Sequence, residues 1–213
     1  VRFIAVALVT SEILQSRQAV ALLLLGQICV VAMMRPRWAM PAAVLLLAVG
    51  VLLDGLSGWR LAEKIFLFPR TYVWHTAWVM FLDRPWVGQG PGLFGDIYFA
   101  FLSKAGYVLS ELSDRRPMLW AHNLYLEQLA ERGIGGLLAL LGLLGASALY
   151  AWRAWRKSPN NAALAAGILT SVLMLALSGI AEASLSRIWV AVLLLVLAAL
   201  SVTADALSQE QPN

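Results

Sequence analysis

Trp120-Ala121-His122-Asn123-Leu124-Tyr125-Leu126-Glu127, running on through Glu131-Arg132-Gly133-Ile134-Gly135-Gly136, sets a histidine and a polar stripe at the mouth of a long apolar run. The apolar run continues over 134–151, close to the length of about 20 residues that a helix needs to cross a bilayer. His122 is one of only two histidines in the chain. A polar cluster at the depth where lipid, headgroup and water meet costs free energy, and marks a functional site by default.

The rest of the sequence fits that reading. Of the 213 residues, 61% are hydrophobic and 13% are charged, against about 25% charged in ordinary soluble domains. Mean hydropathy is +0.76. These values exclude a disordered chain and point to an all-α membrane protein, a polytopic helical bundle, because only helices satisfy their own backbone within such apolar segments. The net charge of +4 comes from short clusters between apolar runs and not from a nucleic-acid patch. Cys29 stands alone, so no disulfide within the chain is possible.

Spans are expected at 18–34, 38–53, 134–151, 162–181 and 188–204, in a single membrane domain over 1–213. Residues 3–14 read as the end of a helix that begins earlier, and the whole as the later part of a larger protein. Arg35 with Arg37, and Arg153 with Arg156 and Lys157, mark one cytoplasmic side by the positive-inside rule. The long polar loop 54–121 then lies outside, which for a bacterial inner membrane is periplasmic. A loop of that length should hold helices of its own. Residues 70–82 are the best candidate, with Arg70, Trp74, Ala77, Trp78 and Phe81 at helical spacing, suited to an interfacial helix. Pro117 is expected in the first turn of the helix carrying His122.

His122 suits general-base work near neutral pH; the plainer reading is a cap or a headgroup anchor. Asn123, Glu127 and Glu131 share one helical stripe, and the two glutamates read as a solvated face. Arg17 and Arg70 each open an apolar or aromatic helix, and a guanidinium forks onto phosphate oxygens; interfacial snorkelling is the alternative. His75 reads as surface. Gly88, Gly90 and Gly92 lack the strand before and the Lys-Ser/Thr after that a phosphate loop requires, and read as a turn between interfacial helices. No paired-histidine metal motif, Asp-x-Asp or Gly-x-Ser-x-Gly is present, so no metal or other cofactor is expected.

Arg70-x-x-x-Trp74, Arg84-Pro85-Trp86-x-Gly88-x-Gly90-x-Gly92-x-Phe94, His122-Asn123-x-Tyr125-Leu126 and Glu131-x-Gly133-x-x-Gly136 together resemble the O-antigen ligase family of membrane glycosyltransferases. O-antigen polymerases and pilin oligosaccharyltransferases belong to the same superfamily. The resemblance covers residues 11–152, and the later spans by topology only. It implies a GT-C-like helical bundle with the long loop in the periplasm. It also implies metal-independent, inverting transfer of a glycan from undecaprenyl diphosphate to a sugar hydroxyl of lipid A-core. The family's two arginines fall on Arg17 and Arg70 and its histidine on His122, with Trp74, Asn123 and Tyr125 toward the substrate. Membrane lipid is a further partner and nucleic acid is not. Polymerase or protein-glycosylating activity is the alternative within the superfamily. A non-catalytic envelope-polymer transporter subunit is the alternative outside it, disfavoured because spans 18–34, 134–151, 162–181 and 188–204 hold no ionisable residue.

Overall fold

The structure, a computed structural model, describes residues 17–38, 40–45, 48, 70–112, 115–180 and 183–210. The regular elements named among these residues are all helical: α1 (Arg17–Met34), α2 (Arg70–Asp83), α3 (Phe94–Lys104), a 3₁₀ turn (Leu109–Glu111), α4 (Leu124–Lys157), α5 (Ala162–Ser178) and α6 (Ile188–Glu210). Two of them, α4 and α6, are long and apolar enough to cross a membrane, and α5 is a shorter apolar helix. Most of the span expected at 38–53, and the fragment 3–14, fall outside the described residues.

Two compact units divide the chain: 1–61 with 147–178 and 197–213, and 62–146 with 179–196. In the first, α1 packs on α5. Gly26 leaves room for Met174 and Thr170, whose side chains lie 3.4 and 3.5 Å from where a Cβ would stand. Alanines 151, 154, 165 and 204 build the core with Ile168 and Leu169. Small residues allow the close helix approach that membrane bundles use in place of a hydrophobic driving force. Trp152 and Trp155 pack 5.0 Å apart, and the Arg156 guanidinium lies 5.9 Å from the Trp152 ring. Aromatic rings thus pack among the basic cluster Arg153, Arg156 and Lys157 at the end of α4.

In the second unit the long loop does hold helices, and they make a core of their own. Tyr72, Val73, Ala77 and Met80 of α2 pack with Phe94, Tyr98, Phe101 and Leu102 of α3, joined by Ala121 and Ala130. The buried face of α2 lies beside the interfacial stripe of Arg70, Trp74, Ala77, Trp78 and Phe81 read from spacing, and shares only Ala77 with it. Tyr72, Val73, Thr76, Ala77 and Met80 face inward, while Trp78 is 43% exposed and lies 5.1 Å from Phe81. Small Thr76 and Ala77 let the rings of α3 come close, and the Thr76 hydroxyl is satisfied by donating to the Tyr72 carbonyl at 2.8 Å. Asp83, an acid at the unfavourable end of α2, accepts hydrogen bonds from Gln89 (3.1 Å) and Lys104 (3.3 Å). Those two bonds, Gln89 first, hold its carboxyl below the ordinary range.

The glycine-rich turn is a backbone seam. Gln89 N donates to Ala130 O and Gly90 N to Glu131 O, both at 2.9 Å, and Ile134 N donates to Pro85 O at 2.9 Å. Gly88, at φ +68, would place a Cβ 2.2 Å from the Glu131 carbonyl carbon; Gly133, at φ +66, would place one 2.5 Å from the Trp86 carbonyl carbon. Gly133 (φ 66, ψ −162) also interrupts the helical backbone of α4. Main chain meets main chain here with no room for a side chain.

Gly92 separates the two causes. It shares a positive φ of +75, yet nothing lies within 4 Å of its Cβ position. Gly92→Ala should cost only the left-handed penalty of about 1–2 kcal/mol. Gly88→Ala and Gly133→Ala add a backbone collision and should lower thermal unfolding in detergent well beyond that. Equal midpoints for all three would show that the seam does not form.

Candidate functional site

His122 is not on the helix. Its φ is +52, the only positive value outside glycine among the described residues. A left-handed non-glycine residue costs about 1–3 kcal/mol and persists only where its surroundings fix it. Asn123 supplies that fixation as the N-cap of α4. Its Oδ1 accepts from Tyr125 N (3.1 Å) and Leu126 N (3.0 Å), and its carbonyl accepts from Glu127 N at 2.9 Å. Its Nδ2 donates to Ile180 O at 2.9 Å, and Leu124 N donates to Gly179 O at 2.7 Å. The helix expected from about Pro117 therefore begins at Leu124. A cap needs non-helical backbone on its N-terminal side, and that throws the imidazole out of the helical stripe.

The preceding residue, Ala121, is fully buried in the α2–α3 core. His122 is thus gripped on both sides while its ring stays half-buried. The Trp120 and His122 rings lie 5.6 Å apart at 55°. The Arg187 guanidinium sits 4.3 Å over the same Trp120 ring.

The two glutamates expected on a solvated face are buried, Glu127 at 0% and Glu131 at 1% exposure. Each has found polar partners distant in sequence. Glu127 Oε1 accepts from the hydroxyls of Ser184 (2.8 Å) and Ser186 (3.3 Å); its Oε2 is buried with no hydrogen-bond partner among the described residues. Glu131 accepts from Gly92 N at 2.9 Å and Phe94 N at 3.3 Å, so its carboxylate meets the positive end of α3. Arg132 Nη1 lies 3.2 Å from Glu131 Oε2.

Of the other residues singled out from sequence, Arg70 is the first residue of α2 and half-buried, in the same unit as His122. Trp74 and Tyr125 are half-buried. Asn123 is 8% exposed, with both ends of its amide engaged by backbone. Arg17 opens α1, in the other unit, and its side chain lies outside the described residues. His75 is exposed, as expected, with Nδ1 3.2 Å from the Tyr107 hydroxyl. Among the described residues, no three of His, Cys, Asp and Glu gather as a metal would need.

Sequence reasoning missed Ser184, Ser186 and Arg187, which lie between the spans expected at 162–181 and 188–204. The available signal was Ser184-x-Ser186-Arg187 falling on the same side of the membrane as His122 in the expected topology.

Comparison with protein families gives a match to the model described as O-antigen ligase over residues 3–141, more than half of the chain. The matched stretch contains Arg17, Arg70, the glycine turn, His122, Glu131 and Gly133, and ends before the Ser184–Arg187 turn. No curated protein matches the chain.

The cap makes its own test. Asn123→Ala removes the acceptor for two amides and the donor to Ile180, and should destabilise the protein by about 1–2 kcal/mol. Asn123→Asp keeps the acceptor and should lose less. Denaturant or thermal unfolding of the two variants in detergent checks the order; Asp as damaging as Ala would mean that Asn123 does not cap.

Proposed function

The chain belongs to the O-antigen ligase family, and from that premise we propose that it transfers a glycan from undecaprenyl diphosphate to a sugar hydroxyl of lipid A-core at the periplasmic face of a bacterial inner membrane. The observation that carries this reading is His122, held in a strained left-handed conformation at the start of a membrane-length helix. Strain kept in place by a cap, a buried neighbour and two bonds to the 179–180 backbone is the pattern of a residue whose position matters.

The chemistry is a displacement at the anomeric carbon. The acceptor hydroxyl oxygen forms the new glycosidic bond, and His122 takes its proton. The bond from the anomeric carbon to the diphosphate oxygen breaks, and undecaprenyl diphosphate leaves with the electron pair. A diphosphate needs little protonation to leave, but its developing charge needs stabilising, which fixed guanidiniums do without a metal. Arg70 and Arg17 fill that role in this reading. The exposed aromatic edge of α2, with Trp78 against Phe81, suits the headgroup level where carrier and acceptor meet.

His122→Ala should abolish transfer while the protein still folds and inserts, a loss of about 10²–10⁴ in rate from the missing base. Wild-type turnover in that variant would remove the base assignment. Arg70→Lys should also be severely impaired, because a point charge cannot replace the fork; full activity there would place the diphosphate elsewhere. Transfer should survive EDTA, and loss on chelation restored by a divalent cation would establish a metal requirement. Offering core lipid, a second glycan repeat or pilin as acceptor identifies the substrate, and exclusive use of either of the last two would replace the ligase reading with polymerase or protein glycosylation.

A further inference from the structure

We propose that Arg187 is a further diphosphate-binding residue, so that the leaving group is held beside His122 by a cation lying outside the stretch that matches the family. This rests on the transfer reading above.

The placement is specific. Arg187 lies immediately before α6, and its guanidinium is 4.3 Å from the Trp120 ring centroid. His122 packs against the same indole, ring to ring at 5.6 Å. One tryptophan therefore lies next to both the cation and the imidazole. A guanidinium held against an aromatic face loses rotamer freedom, and its planar fork matches two phosphate oxygens. That is the bidentate geometry that phosphate recognition uses.

The turn carrying Arg187 is fastened to the helix that His122 introduces. Ser184 Oγ and Ser186 Oγ both donate to Glu127 Oε1, at 2.8 and 3.3 Å. Ser186 N donates to Ser184 Oγ at 3.1 Å, and Arg187 N to Ser184 O at 3.3 Å. Arg187 O then accepts from Val190 N at 2.9 Å. Ser184 and Glu127 are fully buried. Such a clamp fixes Arg187 relative to the first turn of α4.

In the proposed reaction Arg187 neither gives nor takes a proton. It receives negative charge as the bond from the anomeric carbon to the diphosphate oxygen breaks, while His122 takes the proton from the acceptor hydroxyl. A fork onto a diphosphate should also favour diphosphate over monophosphate lipid, a preference that a purely structural arginine would not set.

The test counts lipid bound by native mass spectrometry, with undecaprenyl diphosphate and undecaprenyl monophosphate offered separately to the purified membrane protein. Transfer is measured in parallel. Arg187→Gln should lose about 10–100-fold in affinity for the diphosphate lipid, the worth of charge-assisted hydrogen bonds, and much less for the monophosphate. Its kcat/KM should fall with the diphosphate affinity. Arg187→Lys keeps the charge by Trp120 but not the fork, and should fall between; it decides the matter if the Gln variant does not fold. Unchanged diphosphate preference in either folded variant overturns the assignment while wild-type transfer keeps the ligase reading. Wild-type protein that neither binds the diphosphate lipid nor transfers overturns both.

Discussion

Three hydrogen bonds between main-chain atoms, joining residues 85–90 to residues 130–134, fix where everything else on this unit can stand. They exist because Gly88 and Gly133 carry no Cβ and both adopt positive φ. The seam bends α4 out of regular helix at Gly133 and delivers the end of the 85–92 loop to Glu131. The Glu131 carboxylate then receives the first amides of the α3 region, and α3 packs its rings on α2. Arg70, at the start of α2, inherits its position from that chain of contacts. The membrane-length helix and the helices of the long loop are thus one structure because of a backbone junction rather than a side-chain core.

At the other end of the same helical segment a second constraint operates. Asn123 caps α4 and ties it to Ile180, while Leu124 N bonds Gly179. Residues 124–132, between cap and kink, bury Glu127, Gln128 and Glu131. Buried carboxylates are costly unless they accept hydrogen bonds, so each one dictates a partner. Glu127 dictates the Ser184–Arg187 turn, and Glu131 dictates the glycine loop. The polar stripe organises its surroundings through what it must satisfy.

Much of this was legible in the residues. The apolar runs 18–34, 134–151, 162–181 and 188–204 fall on α1, α4, α5 and α6, with α4 and α6 longer than the runs, and helices inside the 54–121 loop followed from its length. The glycine turn and Glu131-x-Gly133-x-x-Gly136 were visible as motifs, although not as two halves of one seam. His122 stood out because a histidine at a span mouth is rare. Other features were hidden for identifiable reasons. The start of α4 was misplaced because Pro117 can open a helix by backbone geometry, whereas Asn123 opens this one by a side-chain bond that spacing does not reveal. Glu127 and Glu131 looked solvated because helical periodicity sees only their own helix, and their partners lie 57 and 39 residues away. The aromatic stripe of α2 pointed to an interfacial face, and spacing did not show that Tyr72, Val73, Thr76, Ala77 and Met80 form its buried side. Arg187 was passed over because no local pattern links it to Trp120.

A joint made from amides and carbonyls is indifferent to the identity of the side chains that flank it. Trp86 and Val87, 78% and 70% exposed, stand directly on the seam and contribute none of its bonds. Their outward surface is free to drift in character while the fit beneath stays constant. Change in that outward surface is therefore uncoupled from the geometry that seats the histidine.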